Sequence, residues 1–212
     1  MDVGLNLIRN CLAVHGYLQA KAGTAEVERT SRGHKITVSV AEGALYRIGK
    51  IEIEGAKLFT PERIKEGLGL KRGDVANGEI IYDAFFVRLA GDYRDQGYLQ
   101  YSADPEPTFQ QEPGVPEGIV DYLVTVDEGK CFILREVQFA GNATTRDSVL
   151  RAALRLREGK PFSQRLFEES VKNLNDLNLF ELIDKEKDVD YVADEERSQV
   201  TLKIKVKEKN PR

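Results

Sequence analysis

The sequence predicts an α+β protein built from small modules in tandem, each running strand–helix–helix–strand–strand. Three observations lead there: the chain repeats itself, its apolar spacing switches between helical and strand periods, and turn residues fall between the two. "GYLQ" stands at Gly16-Tyr17-Leu18-Gln19 and again at Gly97-Tyr98-Leu99-Gln100. Val38-Ser39-Val40-Ala41-Glu42-Gly43 matches Val124-Thr125-Val126-Asp127-Glu128-Gly129 at an offset of 86 residues, the separation of Val38 and Val124. At that same offset Tyr46 meets Phe132, Ile48 meets Leu134, Ile51 meets Val137, Ile53 meets Phe139 and Gly55 meets Gly141. The match runs on through Ile64 and Leu150, Leu68 and Leu154, Leu70 and Leu156, and Gly73 and Gly159. A period slightly above 80 residues is too long for a one-hairpin solenoid unit and suits a small domain with its own core. The expected divisions are the C-terminal part of one repeat at 1–44, a complete module at 45–130 and another at 131–212.

Each complete module opens on a strand. Over 46–54, Ile51 and Ile53 alternate with Glu52 and Glu54, as a half-buried strand requires. Ile48 is out of phase with that pair, and Leu134 is out of phase with Val137 and Phe139 in the same way. A shared bulge and a change of face both account for it. Gly55 and Gly141 then mark a turn, followed by Thr60-Pro61-Glu62, with Thr as N-cap and Pro at the first helical position. The other module has Thr144-Thr145-Arg146-Asp147 there. The short helix shows Ile64 and Leu68 on one face, with Val149, Leu150, Ala153 and Leu154 as counterparts.

A longer helix follows. Ile81, Phe85, Leu89 and Tyr93 line one side in one module; Leu166, Phe167, Ser170, Val171, Leu174 and Leu177 do so in the next; Leu5, Ile8 and Leu12 keep the spacing in the first segment. Such stripes are core faces. Gly16 and Gly97 fall where these helices end and a left-handed residue is needed, and Asn178 takes that place in the last module. Two strands close each unit. Ile36, Val38 and Val40, then Val120, Tyr122, Val124 and Val126, then Val200, Leu202, Ile204 and Val206 alternate with polar residues, so helices are expected over their apolar faces. Their partner strands are expected at 25–30, 101–110 and 188–193, with Pro105 and Pro107 placing the middle one at a sheet edge.

Composition narrows the function. With 41% hydrophobic and 31% charged residues the chain is an ordinary globular one, outside the regime of disorder. A net charge of −4 argues against nucleic acid as a partner, and no apolar stretch is long enough to span a bilayer. "MDVGLNLIRN" lacks the basic start and apolar run of a signal peptide, and Met1 opens in the middle of a structural unit. Reactive constellations are missing. His15 and His34 have no partnered acid or nucleophile, Cys11 and Cys131 lack metal or disulfide spacing and read as buried small side chains, and the acidic groups at 184–190 and 194–196 lack EF-hand spacing. "GLGLKRG" has no Gly-Lys-Ser/Thr ending. No catalytic residue, cofactor or metal is expected.

The residues resemble the polypeptide-transport-associated (POTRA) domain, which is strung in tandem before outer-membrane β-barrels. The last module resembles the barrel-proximal repeat of the BamA-like family of barrel-assembly proteins. Gly141-Asn142, Thr145, Leu150-Arg151, Glu158-Gly159 and Leu177-Asn178-Leu179-Phe180 carry that likeness, with Asn178 where the family has Gly. The resemblance implies a three-stranded mixed sheet covered on one face by two helices. It also implies a non-enzymatic periplasmic scaffold for unfolded outer-membrane protein precursors and accessory lipoproteins, with a β-barrel following in cis after Pro211-Arg212. A translocation and assembly module, a two-partner secretion transporter or an organelle homologue would share these repeats; a division-type scaffold would have a single one. Clients would add as strands to a sheet edge, the candidate edges carrying Val27, Arg29, Val189, Tyr191 and Val192.

Overall fold

The computed structural model describes residues 2–31 and 33–209, so Met1 and the expected barrel junction after Pro211-Arg212 lie outside the described residues. The chain forms two compact units, Met1–Leu89 with Ala103–Asp127, and Ala90–Ser102 with Glu128–Arg212. In chain order the elements are α1 (Asp2–Val14), β1 (Lys21–Ala22), β2 (Glu26–Thr30), β3 (Gly33–Thr37), β4 (Val40–Ala41), β5 (Leu45–Glu54), α2 (Pro61–Leu68) and α3 (Gly78–Tyr82). A π-helical stretch, Asp83–Arg88, leads into α4 (Leu89–Arg94). Then come β6 (Ser102–Gln110), β7 (Glu117–Asp127), β8 (Ile133–Ala140), α5 (Asp147–Ala153), α6 (Gln164–Asp176), β9 (Val189–Asp194) and β10 (Gln199–Lys205).

Two three-stranded mixed sheets result, ordered β5-β7-β6 and β8-β10-β9. β5 runs parallel to β7, and β8 parallel to β10, as a strand–helix–helix–strand connection demands. β9 is antiparallel to β10, completing the mixed pattern. In the first unit Ile64, Leu68, Ile81, Phe85 and Leu89 are buried with Ile48, Val120, Tyr122 and Val124 from the sheet. In the second, Leu150, Phe162, Phe167, Val171 and Leu174 form one cluster with Leu134, Val137, Val200, Leu202 and Ile204. Both cores consist of alternate strand residues plus one helical stripe, which is the arrangement the spacing predicts.

The out-of-phase residues belong to a shared bulge. Ile48 pairs with Val120 and Ile51 with Tyr122, so two residues of β5, Gly49 and Lys50, oppose Asp121 alone. In the second unit Leu134 pairs with Val200 and Glu136 with Thr201, leaving Arg135 as the extra residue. A bulge reverses which residues face the core, so Ile48 and Leu134 are buried ahead of it without breaking the alternation after it.

The repeated glycines sit at positive φ, 93° at Gly16 and 90° at Gly97. Each closes its helix by the same pair of bonds. Gly16 N–H reaches Ala13 C=O at 3.1 Å and Tyr17 N–H reaches Leu12 C=O at 3.1 Å; Gly97 N–H reaches Arg94 C=O at 3.2 Å and Tyr98 N–H reaches Tyr93 C=O at 3.1 Å. This is the Schellman arrangement, which needs a left-handed residue between its two donors. The freed glycine carbonyl then accepts from the next strand: Tyr46 N–H to Gly16 C=O at 2.9 Å, Phe132 N–H to Gly97 C=O at 2.8 Å. "GYLQ" recurs because it both ends a helix and ties that end to a following strand. Asn178 adopts φ 57° and Gly55 and Gly141 adopt 82° and 96°.

Two expectations about these elements fail. The face carrying Ile36 and Val40 is not covered by helices: β2, β3 and β4 are exposed throughout, Ile36 at 64%. α1 packs mainly against β1 and α3, and the hairpin is split into two two-stranded pieces rather than one sheet. The second concerns Thr144 and Thr145, which do not cap α5. The cap residue is Arg146, which makes no side-chain cap bond. The threonines instead turn to Glu208, whose carboxylate accepts from Thr145 N at 2.7 Å and from Thr144 N and Oγ1 at 3.1 and 2.9 Å. A charged acceptor forms stronger bonds than a helix terminus can offer a hydroxyl. Desolvation pushes the Glu208 carboxyl up, but the bonds from Thr145 and Thr144 outweigh it and hold the group below its usual range.

Candidate functional site

A sheet offers a partner its terminal strands, because only there do backbone N–H and C=O groups lack a neighbour. The terminal strands here are β5 and β6 in one sheet and β8 and β9 in the other. Their accessibility differs. The loop before each long helix folds back along the first half of β5 and of β8. Ile48 N–H donates to Asp74 C=O at 2.8 Å, Gly73 N–H to Ile48 C=O at 2.7 Å and Ala76 N–H to Tyr46 C=O at 2.9 Å. The same three bonds recur at Leu134–Lys160, Gly159–Leu134 and Phe162–Phe132, at 2.9, 2.7 and 2.9 Å. β6 carries Pro105 and Pro107, which have no N–H to offer.

β9 is different. Lys205 N–H donates to Asp188 C=O at 2.8 Å, so by antiparallel alternation the backbone groups of Val189, Tyr191 and Ala193 point away from β10. Among the described residues they have no hydrogen-bond partner. Side chains alternate with them. Val189 is buried in the core, and Tyr191 lies on the same side, its ring edge-on to Phe162 and Phe167 at 5.9 and 5.5 Å. Tyr191 still keeps 44% of its surface exposed, while burial beside those rings pushes its phenol up to about 12. Val192 points to the opposite face and is exposed. Four acidic or basic side chains frame the strand: Asp190 pairs with Lys205 at 3.0 Å and Asp194 with Arg197 at 3.8 Å.

Val27 and Arg29 lie on β2, opposite Ile36 and His34 of β3. This ribbon has two outer edges and no covering layer, so Val27 and Ile36 form an exposed apolar cross-strand pair. The structure does not bring Val27 and Arg29 together with Val189, Tyr191 and Val192: they stand in different units.

The titratable side chains are arranged for packing. Among the described residues no cluster of His, Cys, Asp and Glu could hold a metal. Cys11 is exposed, contrary to the buried position expected, because it lies on the flank of α1 away from the Leu5–Ile8–Leu12 stripe. Cys131 is half-buried, its Sγ 3.3 Å from Gln96 C=O, and burial pushes its thiol up, away from the thiolate a nucleophile needs. The buried hydroxyl of Ser170 accepts from Arg155 N at 2.8 Å and donates to Leu166 C=O at 2.6 Å, joining α6 to the loop after α5.

What sequence reading missed is the pair Arg151 and Glu158. Both are exposed and seven residues apart, yet they close on one residue of β8: Glu158 Oε1 accepts from Val137 N at 2.9 Å, and Arg151 Nη2 donates to Val137 C=O at 2.8 Å. The sequence marked Leu150-Arg151 and Glu158-Gly159 only as carriers of the family likeness, with nothing to say that the two charges meet on one backbone.

Two helices on one face of a β-β-β mixed sheet with parallel outer pairing, twice over, define this chain as a tandem of POTRA-type modules. The family model described as the surface antigen variable number repeat, POTRA, matches residues 46–129 and again 132–209. The chain belongs to the POTRA family. It is similar, at 28% identity over 92% of its length, to the outer membrane protein assembly factor BamA of Nitratidesulfovibrio vulgaris, and at 27% over 82% to a putative outer membrane protein assembly factor of Treponema pallidum. It spans only about a quarter of these relatives, 24% and 21% of their lengths. Among solved structures, BamA POTRA3-5 of Haemophilus influenzae superposes with a TM-score of 0.72 at 22% identity, covering 98% of this chain and 80% of that one. BamA of Haemophilus ducreyi lacking POTRA domains 1-3 gives 0.61 at 24%, covering 78% and 30%. These are tandem POTRA domains of the BamA-like kind.

Proposed function

We propose that this tandem is the periplasmic scaffold of an outer-membrane protein assembly factor, and that it holds extended client segments by strand addition at β9. Its modules are read as 45–130 and 131–212, after part of a further repeat at 1–44. The observation that carries the reading is the free backbone of Val189, Tyr191 and Ala193 on a terminal strand. Backbone bonds demand little of a client's sequence, which suits unfolded β-barrel precursors of many kinds. Tyr191 and Val192 add one apolar contact on each face, without which bare backbone addition would be weak. Accessory lipoproteins, and a barrel in cis, are the further partners this reading names. It calls for no catalytic group.

The test is a photo-cross-linking scan along β9 and the helices, with a ten-residue extended peptide taken from a transmembrane barrel strand. Labelling is expected at Tyr191 and Val192 and lost in Ala193→Pro, which removes an outward N–H without touching the β9–β10 ladder. Labelling confined to α5 and α6, unchanged by Ala193→Pro, overturns the proposal. The β2–β3 ribbon is a second edge for the same chemistry, since its outer backbone is exposed on both sides.

A further inference from the structure

The last module closes one of its own edges with side chains, and the middle module does not. In β8 the outward amide of Val137 is taken by the Glu158 carboxylate at 2.9 Å and its outward carbonyl by the Arg151 guanidinium at 2.8 Å. The two side chains hold each other, Arg151 Nη1 to Glu158 Oε1 at 2.8 Å, and Asp147 steadies Arg151 from Nε at 2.5 Å. A strand arriving at that edge finds its first donor and acceptor already bonded. The amide of Val137, then Arg151, keep the Glu158 carboxyl below its usual range, so the plug is charged at neutral pH.

At the 86-residue offset Val137, Arg151 and Glu158 correspond to Ile51, Lys65 and Arg72. No carboxylate stands where Glu158 does. Lys50 N–H turns inward to Asp121 Oδ1 at 2.5 Å, so the backbone of Ile51, and by alternation that of Ile53, faces outward. Among the described residues neither has a hydrogen bond beyond the β5–β7 ladder. Lys65 and Arg72 are exposed cations within electrostatic reach of the strand, Lys65 acting on Glu52 and Arg72 on Lys50. The edge is therefore open and short, with Lys65 and Arg72 beside it, while Glu52 and Glu54 stand on the strand itself and Glu52 is already paired with Lys50 at 2.8 Å. Its first half is already occupied by the 73–76 loop, which confines any added strand to the last four residues of β5, 51–54.

We infer that this edge of β5 accepts an extended acidic segment. The segment's backbone pairs with Ile51 and Ile53, and a carboxylate takes the place beside Lys65 and Arg72 that Glu158 fills internally on β8. The inference shares strand-addition chemistry with the proposed function but concerns a different strand in the other unit, so each stands or fails on its own amides.

The experiment uses the whole chain with its amides observed by NMR and hydrogen exchange. The probes are two ten-residue peptides, one alternating valine or threonine with glutamate, the other with lysine in place of glutamate. The acidic peptide is expected to shift and protect the Ile51 and Ile53 amides, with the lysine peptide about tenfold weaker because two attractions become repulsions. Lys65→Arg with Arg72→Glu rebuilds the plug and is expected to protect the Ile51 amide without any peptide, and to abolish its further response to the acidic peptide. The β9 amides serve as its folding control, since their behaviour should not change. Arg151→Ala with Glu158→Ala is expected to expose the Val137 amide to exchange. Silence of Ile51 and Ile53, equal response to both peptides, or a peptide-induced shift at Ile51 that survives the rebuilt plug overturns the inference. So does peptide-independent protection that grows with protein concentration, which assigns the edge to a second copy of the chain. A response at Ile51 with none at Val189 and Tyr191 instead removes the β9 proposal alone.

Discussion

The long helices of the two POTRA-matched stretches solve one packing problem differently. In α6 the buried residues Phe167, Ser170, Val171 and Leu174 follow at three and four, the spacing of an ordinary α-helix face. In the first unit Ile81, Phe85 and Leu89 are all buried at strict intervals of four. On an α-helix each such step drifts by about 40°, so this spacing walks the residues toward one edge of the buried face. The π-helical stretch Asp83–Arg88 widens the turn between them and brings them back to one side. Repeat landmarks show the same adjustment: Ile81 and Phe167 are 86 apart, whereas Gly97 and Asn178 are 81 apart. Five extra residues amount to one turn plus the one residue a π-bulge inserts. A module can therefore lengthen its second helix and still deliver the same glycine carbonyl to the next strand, provided the helix absorbs the leftover residue.

Equivalence of the two modules is tested hardest at the turn after the first strand. A Cβ at Gly55 would be driven into the Val126 carbonyl oxygen, and one at Gly141 into the Val206 carbonyl oxygen. Both residues also sit at positive φ. Gly55→Val and Gly141→Val are each expected to cost at least about 3 kcal/mol in urea unfolding followed by circular dichroism. A neutral result for one of them would break the comparison at that turn.

A smaller effect separates the helices themselves. Ser170 is buried and satisfies the amides of Arg155 and Leu156, whereas Ala84 occupies the equivalent place in the first unit. Ser170→Ala leaves both donors without an acceptor and should destabilise the chain by about 1–3 kcal/mol, read as a lower urea midpoint. An unchanged midpoint would mean that the hydroxyl is dispensable, as it is where Ala84 stands.

The smallest expected effect is shared by both units. Burial raises Tyr122 in one and Tyr191 in the other to about 12, against about 10 for the unfolded chain. The folded state favours the neutral phenol, so the contribution is full below pH about 10 and fades as pH rises toward about 12. Stability measured across that window should decline, and Tyr122→Phe and Tyr191→Phe should each make the decline shallower. If ultraviolet titration of the folded chain shows both phenols ionising at the unfolded value, their burial has been misjudged.

Much of the fold was legible because a repeat shows each residue in its place twice. Ile64 and Leu150, or Val124 and Ile204, are recognisable as core by spacing alone. The bulge was visible only as a phase error, since a bulge and a change of face leave the same mark on a string of letters. The free edge of β9 could be guessed from the alternation at 200–206, but not which of its residues turn their backbone outward. The apolar letters of Ile36 and Val40 misled, because alternation says that a strand has two faces and not that something covers one of them.

By itself the sequence determined the order of elements, the positions of the turns and the apolar faces, since these depend on spacing within one segment. Tertiary structure alone decided which edges stay open. Arg151 and Glu158 stand out in the sequence only as part of a family likeness, and they become a plug only when folding brings both to the backbone of Val137. Whether a backbone group is free depends on what distant residues are carried beside it, and that distance is absent from the order of letters.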